Sequence, residues 1–176
     1  NKRMTTFKER VVTEVQQICR IDYETKEPIC NDTYFRLKGR FNEFKTAHSS
    51  IIIEDYGKGL FTETVLEFLI SEAKEMGKTI AVDPARTTPP QWYTGATLLK
   101  PNQVESELMV KALGYTKTYS VEERAKILID KLKLEKIQHK ARRVFRLETI
   151  LLHIWIWHNR YYKEMLVKLI ITSVYN

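Results

Sequence analysis

Three short apolar runs, at residues 51–53, 80–82 and 96–99, constrain the fold of this chain most strongly. They lack polar alternation, Gly and Pro bound them, and a helix-like segment separates the first two. These features are typical of buried parallel strands. The alternation of strand and helix over residues 49–134 therefore predicts an α/β fold with right-handed crossovers.

Polar side chains follow each of these runs. Asp55 follows the first run, Asp83 the second and Asn102 the third. In an open parallel sheet, ligands bind beyond the carboxyl ends of the strands. We therefore expect these three side chains to share one crevice. Two further candidates, Lys58 and Glu105, lie close to them in the sequence.

Length and composition predict one soluble globular domain. The chain has 176 residues, of which 43% are hydrophobic and 29% are charged, so it is long enough to bury a core. Its two cysteines, Cys19 and Cys30, have no metal-ligand spacing, which favours a reducing, cytoplasmic setting. We expect no signal peptide and no transmembrane segment, because no apolar run reaches the roughly 20 residues that a spanning helix needs.

The net charge of +7 is located at one end of the sequence. Residues 1–130 hold 19 Lys and Arg against 19 Asp and Glu, whereas residues 131–176 hold 10 against 3. Two of the three tryptophans also fall in that second segment. We therefore predict a core over residues 1–136 and a basic, aromatic, helical tail over residues 137–176. The tail is interpreted as core or interface, and we expect no specific nucleic-acid partner.

Local patterns predict further elements around the sheet. Alternating Val, Ile and Thr in residues 1–24 predict two strands, paired as a hairpin about residues 14–17. A helix follows, capped by Asn31 or Asp32 and ending before His48. Capping signals and glycine stops predict helices over residues 62–76, 103–113 and 120–134.

The candidate site motifs have structural and functional interpretations, and both stay open here. The segment Asp-Tyr-Gly-Lys-Gly at residues 55–59 is either a strand-to-helix turn or a place where backbone approaches a phosphate or sugar. In the latter case Lys58 supplies positive charge and Asp55 accepts hydroxyl hydrogen bonds. Asn102 and Glu105 form either a capping box or a helix N-terminus that binds phosphate and Mg²⁺.

Polar residues of the early strands have the same two interpretations. Gln16, Gln17, Arg20 and Asp22 are either ordinary exposed strand residues or, if the hairpin covers the crevice, contacts for sugar hydroxyls. The four histidines show no metal spacing and no partnered nucleophile, so no chemistry is assigned to them.

Over residues 4–136, the order of these motifs resembles the ribokinase-like (PfkB) sugar kinases, and most closely their heptose 7-phosphate kinases. The segments that carry the resemblance are Gln16-Gln17-Ile18-Cys19-Arg20-Ile21-Asp22, Glu54-Asp55-Tyr56-Gly57-Lys58-Gly59, Val82-Asp83-Pro84 and Gly95-Ala96-Thr97-Leu98-Leu99-Lys100-Pro101-Asn102-Gln103-Val104-Glu105. The combination is more specific than any single motif.

This resemblance implies a ribokinase-like, Rossmann-like α/β fold with a mainly parallel sheet flanked by helices. It also implies ATP as phosphoryl donor, Mg²⁺ as cofactor, and a phosphorylated heptose as acceptor in the synthesis of ADP-heptose for the lipopolysaccharide core. The implied roles are phosphate and nucleotide binding for Asn102 and Lys58, a metal ligand for Glu105, and substrate binding for Asp55, Gln16, Gln17, Arg20 and Asp83.

The sequence also departs from the family pattern. The Gly-Ala-Gly-Asp motif, which supplies the anion hole and the catalytic base, is absent, and the family's Gly-rich sugar-binding segment should precede Asn1. We therefore expect a fold truncated at the N-terminus and altered at the C-terminus, with a tail out of frame beyond Phe145. A missing general base typically costs about 10²- to 10⁴-fold in rate, so the chain is expected to be a poor kinase.

A hypothesis from another class is a non-catalytic module with a kinase-like fold. Its basic aromatic tail would engage a partner, an acidic membrane surface or nucleic acid. Under either hypothesis, a sheet edge left open by missing strands predicts a homo-oligomer.

Overall fold

The computed structural model describes residues 3, 4 and 6–138, so most of the predicted tail lies outside the described residues. The elements in chain order are β1 (Phe7–Val12), β2 (Gln17–Tyr23), α1 (Asn31–Phe44), β3 (Ser50–Glu54), α2 (Glu63–Glu75), β4 (Thr79–Asp83), a 3₁₀ turn (Pro90–Tyr93), β5 (Leu98–Leu99), α3 (Gln103–Ala112), α4 (Val121–Leu132) and β6 (Lys136–Ile137).

Four of the strands form one parallel sheet in the order β3-β4-β5-β6. Ser50 pairs with Thr79 at the start of β3 and β4, and the pairing runs in register to the ends of both strands. Helices connect and flank the strands, so the predicted α/β class with a mainly parallel sheet is confirmed. The short strand β6, which pairs with β5, was not predicted.

The core lies where the strands pack against the helices. Ile53, Val82 and Leu99, from three neighbouring strands, are at most 1% exposed, and Leu66 and Leu69 of α2 are fully buried against them. Burying one such side chain is worth roughly 1.5–3 kcal/mol. This continuous burial explains why the strands appear in the sequence as uninterrupted apolar runs.

The predicted hairpin is present as a separate antiparallel ribbon. β1 pairs with β2 from Phe7 opposite Tyr23, with an irregularity between Val11 and Val12. The ribbon is a sheet of its own, without strand pairing to the four-stranded sheet. Almost all of its side chains are exposed.

The helix ends follow the predicted capping signals with one difference. Thr62 caps α2 by accepting a hydrogen bond of 3.3 Å from the N–H of Val65, and Gly77 ends that helix with φ of +63°. The N-cap of α1 is Cys30, because Asn31 already has helical geometry, and no side chain caps this end. Among the described helices, none combines the length and the apolar character needed to cross a bilayer.

Candidate functional site

A cavity of about 470 Å³ lies at the carboxyl ends of β3 and β4, beside the first turn of α3. Its lining residues are Lys26, Glu54, Asp55, Tyr56, Gly57, Lys58, Asp83, Pro84, Ala85, Arg86, Thr87 and Glu105. The cavity brings together four of the predicted site residues: Asp55, Lys58, Asp83 and Glu105. Asn102, which was expected in the same crevice, does not line the cavity and instead caps the helix that carries Glu105.

Strand register accounts for this convergence. Glu54 at the end of β3 pairs with Asp83 at the end of β4, and the N–H of Asp55 donates to the carbonyl of Asp83 at 2.9 Å. The two strands therefore stop at the same level of the sheet, and the polar residues after them face one region, as expected for parallel strands.

Asp55 is buried and accepts three hydrogen bonds. It is 9% exposed; its Oδ1 accepts the N–H of Gly57 at 2.7 Å, and its Oδ2 accepts the hydroxyls of Thr88 at 2.6 Å and Tyr93 at 2.7 Å. A buried carboxylate is stable when donors satisfy both of its oxygens. Asp55 therefore fixes the glycine turn and the loop that follows β4.

Tyr93 forms the other half of this contact. The residue is fully buried, and its hydroxyl oxygen also accepts the N–H of Ala85 at 3.2 Å. Burial, and then the negative charge of Asp55, raise the pKa of the Tyr93 phenol well above its usual value. The phenol therefore stays protonated and donates to Asp55.

The glycine turn at Gly57 and Gly59 meets the segment that joins β2 to α1. Gly59 has φ of +80°, and a Cβ there would lie 2.2 Å from the carbonyl oxygen of Glu27. The carbonyl of Gly59 accepts the N–H of Ile29 at 3.0 Å, and the ammonium of Lys58 binds the carboxylate of Glu24. Glycine is required here because another backbone packs directly against it.

Asn102 and Glu105 form the capping box that the sequence indicated as one interpretation. The N–H of Asn102 donates to Glu105 Oε2 at 2.7 Å, the N–H of Glu105 donates to Asn102 Oδ1 at 2.9 Å, and the Asn102 amide also donates to Glu105 Oε1. Glu105 is nevertheless 8% exposed and lines the cavity. A second capping box, Ser120 with Glu123 on α4, lies on the surface, so capping by itself does not require burial.

The donor chemistry of the cavity fits Mg²⁺. Glu54, Asp83 and Glu105 present carboxylate oxygens, and Glu54 Oε1 is a buried atom without a hydrogen-bond partner among the described residues. Nowhere among the described residues do three or more His, Cys, Asp or Glu side chains come together closely enough to hold a metal ion by themselves. Mg²⁺ commonly uses one or two carboxylates together with substrate phosphates, and Asp83 and Glu105 are the residues that could supply them here.

The structure does not bring Gln16, Gln17 and Arg20 to this cavity. All three lie exposed on the ribbon, and the guanidinium of Arg20 pairs with Asp22 at 3.1 Å. Their predicted contact with a sugar stays a prediction. The cavity-lining residues that sequence reasoning did not select as site residues are Lys26, Glu54, Tyr56, Arg86 and Thr87.

A second cavity, of about 520 Å³, lies at the base of the ribbon beside the start of α1. Its lining includes Arg3, Glu24 and Cys30, together with Asp22, one of the four ribbon residues with a predicted sugar contact. A hydrogen bond with the side chain of Thr33 lowers the pKa of the Cys30 thiol. The two cavities are joined structurally by the ion pair between Glu24 and Lys58.

Comparison with known proteins gives sequence matches over part of this chain. No protein-family model matches the chain. The bifunctional protein HldE of Helicobacter hepaticus is 40% identical over 106 residues, which cover 60% of this chain and 22% of that protein. The bifunctional protein HldE of Geobacter metallireducens is also 40% identical over 106 residues, covering 60% and 21%. The chain therefore spans about a fifth of the length of these relatives.

Among solved structures, the pyridoxal kinase from Staphylococcus aureus, in complex with AMP-PCP and pyridoxal, matches with a TM-score of 0.44 and 18% identity, covering 69% of this chain and 45% of that one.

The sequence matches confirm the resemblance that the motifs indicated. The described residues form an α/β unit with a polar cavity at the carboxyl ends of a parallel sheet. The relatives to which this chain is similar, at 34–40% identity over 105–106 residues, are bifunctional proteins HldE.

Proposed function

We propose that the chain carries a sugar-kinase site that binds ATP with Mg²⁺ and a phosphorylated sugar of the heptose 7-phosphate class, for ADP-heptose and lipopolysaccharide-core synthesis in the cytoplasm. The observation that carries the proposal is the cavity shared by Asp55, Lys58, Asp83 and Glu105, in a chain 40% identical over 106 residues to a protein HldE.

Each of these residues has a defined part in the proposed site. Asp83 and Glu105 would hold hydrated Mg²⁺, which neutralises phosphate charge when bound. Asn102 begins α3, whose free N–H groups and dipole favour a phosphate. Lys58 adds positive charge, and Asp55 positions the turn that carries Lys58 through the N–H of Gly57.

The proposed site binds its ligands better than it transfers phosphate. Phosphoryl transfer depends on positioning and electrostatic stabilisation, and this sequence contains no Gly-Ala-Gly-Asp to supply an anion hole and a base. We expect transfer by a polypeptide of this sequence to be lower by about 10²- to 10⁴-fold for want of the base alone.

The test uses the two capping boxes as a matched pair. Glu105→Gln keeps a side chain that can cap the helix but removes the negative charge at the cavity, and Glu123→Gln makes the same change on the surface of α4. We expect Glu105→Gln to weaken binding of Mg·ADP by about tenfold, measured by calorimetry, while Glu123→Gln binds like wild type. Equal affinities for all three proteins, or a wild type that binds no nucleotide, would refute the proposal.

A second candidate function is supported by the charge distribution. The whole surplus of +7 lies in residues 131–176, which suits a non-catalytic module that engages an anionic partner. Because Leu132 and Leu134 are buried and β6 ends at Ile137, the deletion that tests this function begins at residue 139. Salt-dependent retention on an anionic matrix that is lost in this deletion favours the module.

We also propose, under either function, that the chain forms a homo-oligomer. β3 is an outer strand of the described sheet, and an open strand edge can pair with another chain. Light scattering should then give a mass that is a multiple of the monomer mass of 20.8 kDa.

A further inference from the structure

Arg86 lies in the loop after β4 and lines the cavity. We infer that its guanidinium binds a phosphate group of the molecule that occupies the cavity. This inference rests on the proposed function. The ligand class is a phosphate monoester or the terminal phosphate of a nucleotide. The capping interactions of α3 assign no role to this side chain.

The charges around the cavity explain why a cation is needed there. Four acidic and three basic side chains line it, the bases being Lys26, Lys58 and Arg86. A phosphate that enters next to Asp83 and Glu105 is repelled unless a cation lies nearby. Lys58 is already paired with the carboxylate of Glu24, so part of its charge is compensated and a second cation strengthens the attraction for a phosphate.

The environment of Arg86 suits this role. Its side chain is 60% exposed, and its Nε lies 3.9 Å from Glu105 Oε1, at the outer limit of an ion pair. Both oxygens of Glu105 also accept hydrogen bonds from Asn102, so Glu105 keeps partners when Arg86 turns towards a ligand. The planar guanidinium can bind two phosphate oxygens at once, which the ammonium of a lysine cannot do.

The experiment measures binding of inorganic phosphate and of ADP by calorimetry to the wild type, Arg86→Gln, Arg86→Lys and Arg40→Gln. Arg40 is the matched control, since it is an exposed arginine of α1 that pairs with Glu43 at 2.8 Å and lies outside the cavity lining. We expect Arg86→Gln to lose at least tenfold in phosphate affinity, Arg86→Lys to recover part of the loss, and Arg40→Gln to match wild type.

Further arms identify the source of the phosphate. ADP is compared with adenosine, and heptose 7-phosphate with mannose. If Arg86 binds the nucleotide, Arg86→Gln lowers the affinity for ADP but not for heptose 7-phosphate; the reverse pattern assigns it to the sugar phosphate.

Two outcomes overturn the inference. In the first, the wild type binds none of the phosphate compounds; in the second, wild type and Arg86→Gln bind phosphate with the same affinity. The proposed function fails separately. It fails alone if phosphate binding depends on Arg86 while Glu105→Gln binds Mg·ADP as tightly as wild type and Glu123→Gln do.

Discussion

The hydroxyl of Tyr93 donates a hydrogen bond of 2.7 Å to the carboxylate of Asp55, across 38 residues of sequence. This contact joins the end of β3 to the 3₁₀ turn before β5 and is buried at both ends. Because Asp55 also accepts the N–H of Gly57, the same carboxylate sets the shape of the glycine turn. The part of the cavity wall formed by Gly57 therefore depends on the buried contact between Tyr93 and Asp55.

Replacing Tyr93 by Phe should lower the free energy of unfolding by about 1–3 kcal/mol. The substitution removes a donor to Asp55 and leaves the buried N–H of Ala85 without its acceptor. Urea unfolding followed by circular dichroism measures the change. Tyr56→Phe is the control, because Tyr56 is 71% exposed and its hydroxyl makes only a 3.4 Å contact with Glu54; a loss as large in the control would contradict the explanation.

The contribution of Tyr93 should also depend on alkaline pH. Its pKa in the folded protein is raised by burial and by the charge of Asp55, whereas a phenol in an unfolded chain titrates at about 10. The folded state then holds the proton more tightly, so the stabilisation is complete below about pH 10 and is lost progressively above it. The difference in unfolding free energy between wild type and Tyr93→Phe should therefore shrink from pH 9 to pH 11. A constant difference would show that the phenol ionises equally in both states, and a growing difference that it ionises more readily in the folded state.

Two glycines with similar backbone conformation should respond differently to substitution. Gly59 and Gly77 have φ of +80° and +63°, and either substitution by Ala incurs the left-handed penalty of about 1–2 kcal/mol. Only at Gly59 would the new Cβ collide with backbone, the carbonyls of Glu27 and Lys26 at 2.2 and 2.6 Å, whereas nothing lies within 4 Å at Gly77. Thermal unfolding should show a clearly larger loss for Gly59→Ala. Equal losses would mean that the segment before α1 moves away freely.

Local signals in the sequence were sufficient for most of the fold. Buried parallel strands show as apolar runs because both faces are covered, and helix ends show through caps such as Thr62 and stops such as Gly77. β6 was missed because its two residues, Lys136 and Ile137, follow a charged segment and show no period. Its position is set by pairing with β5, which is a tertiary effect.

The convergence of the candidate site residues was predicted only where strand ends determine it. Asp55 and Asp83 lie at the ends of β3 and β4, and Glu105 lies in the first turn of the helix after β5, so the three converge at one edge of the sheet. The contact with Tyr93 and the pairing of Lys58 with Glu24 could not be predicted. Both join residues more than 30 positions apart, and no local pattern specifies which distant group meets them.

The two capping boxes should contribute to stability alike. Asn102 and Ser120 each accept the N–H of the glutamate three residues later, at 2.9 and 3.2 Å, and replacing an N-cap by Ala costs typically about 1 kcal/mol. We expect Asn102→Ala and Ser120→Ala to shift the urea midpoint by similar amounts, because each frees one helix N–H. Nucleotide affinity should separate them, with loss of binding only in Asn102→Ala, where the cap orients Glu105 at the cavity. If Ser120→Ala weakened binding as much, the effect of Asn102 would be one of general stability, and its position at the end of β5 would have no part in the site.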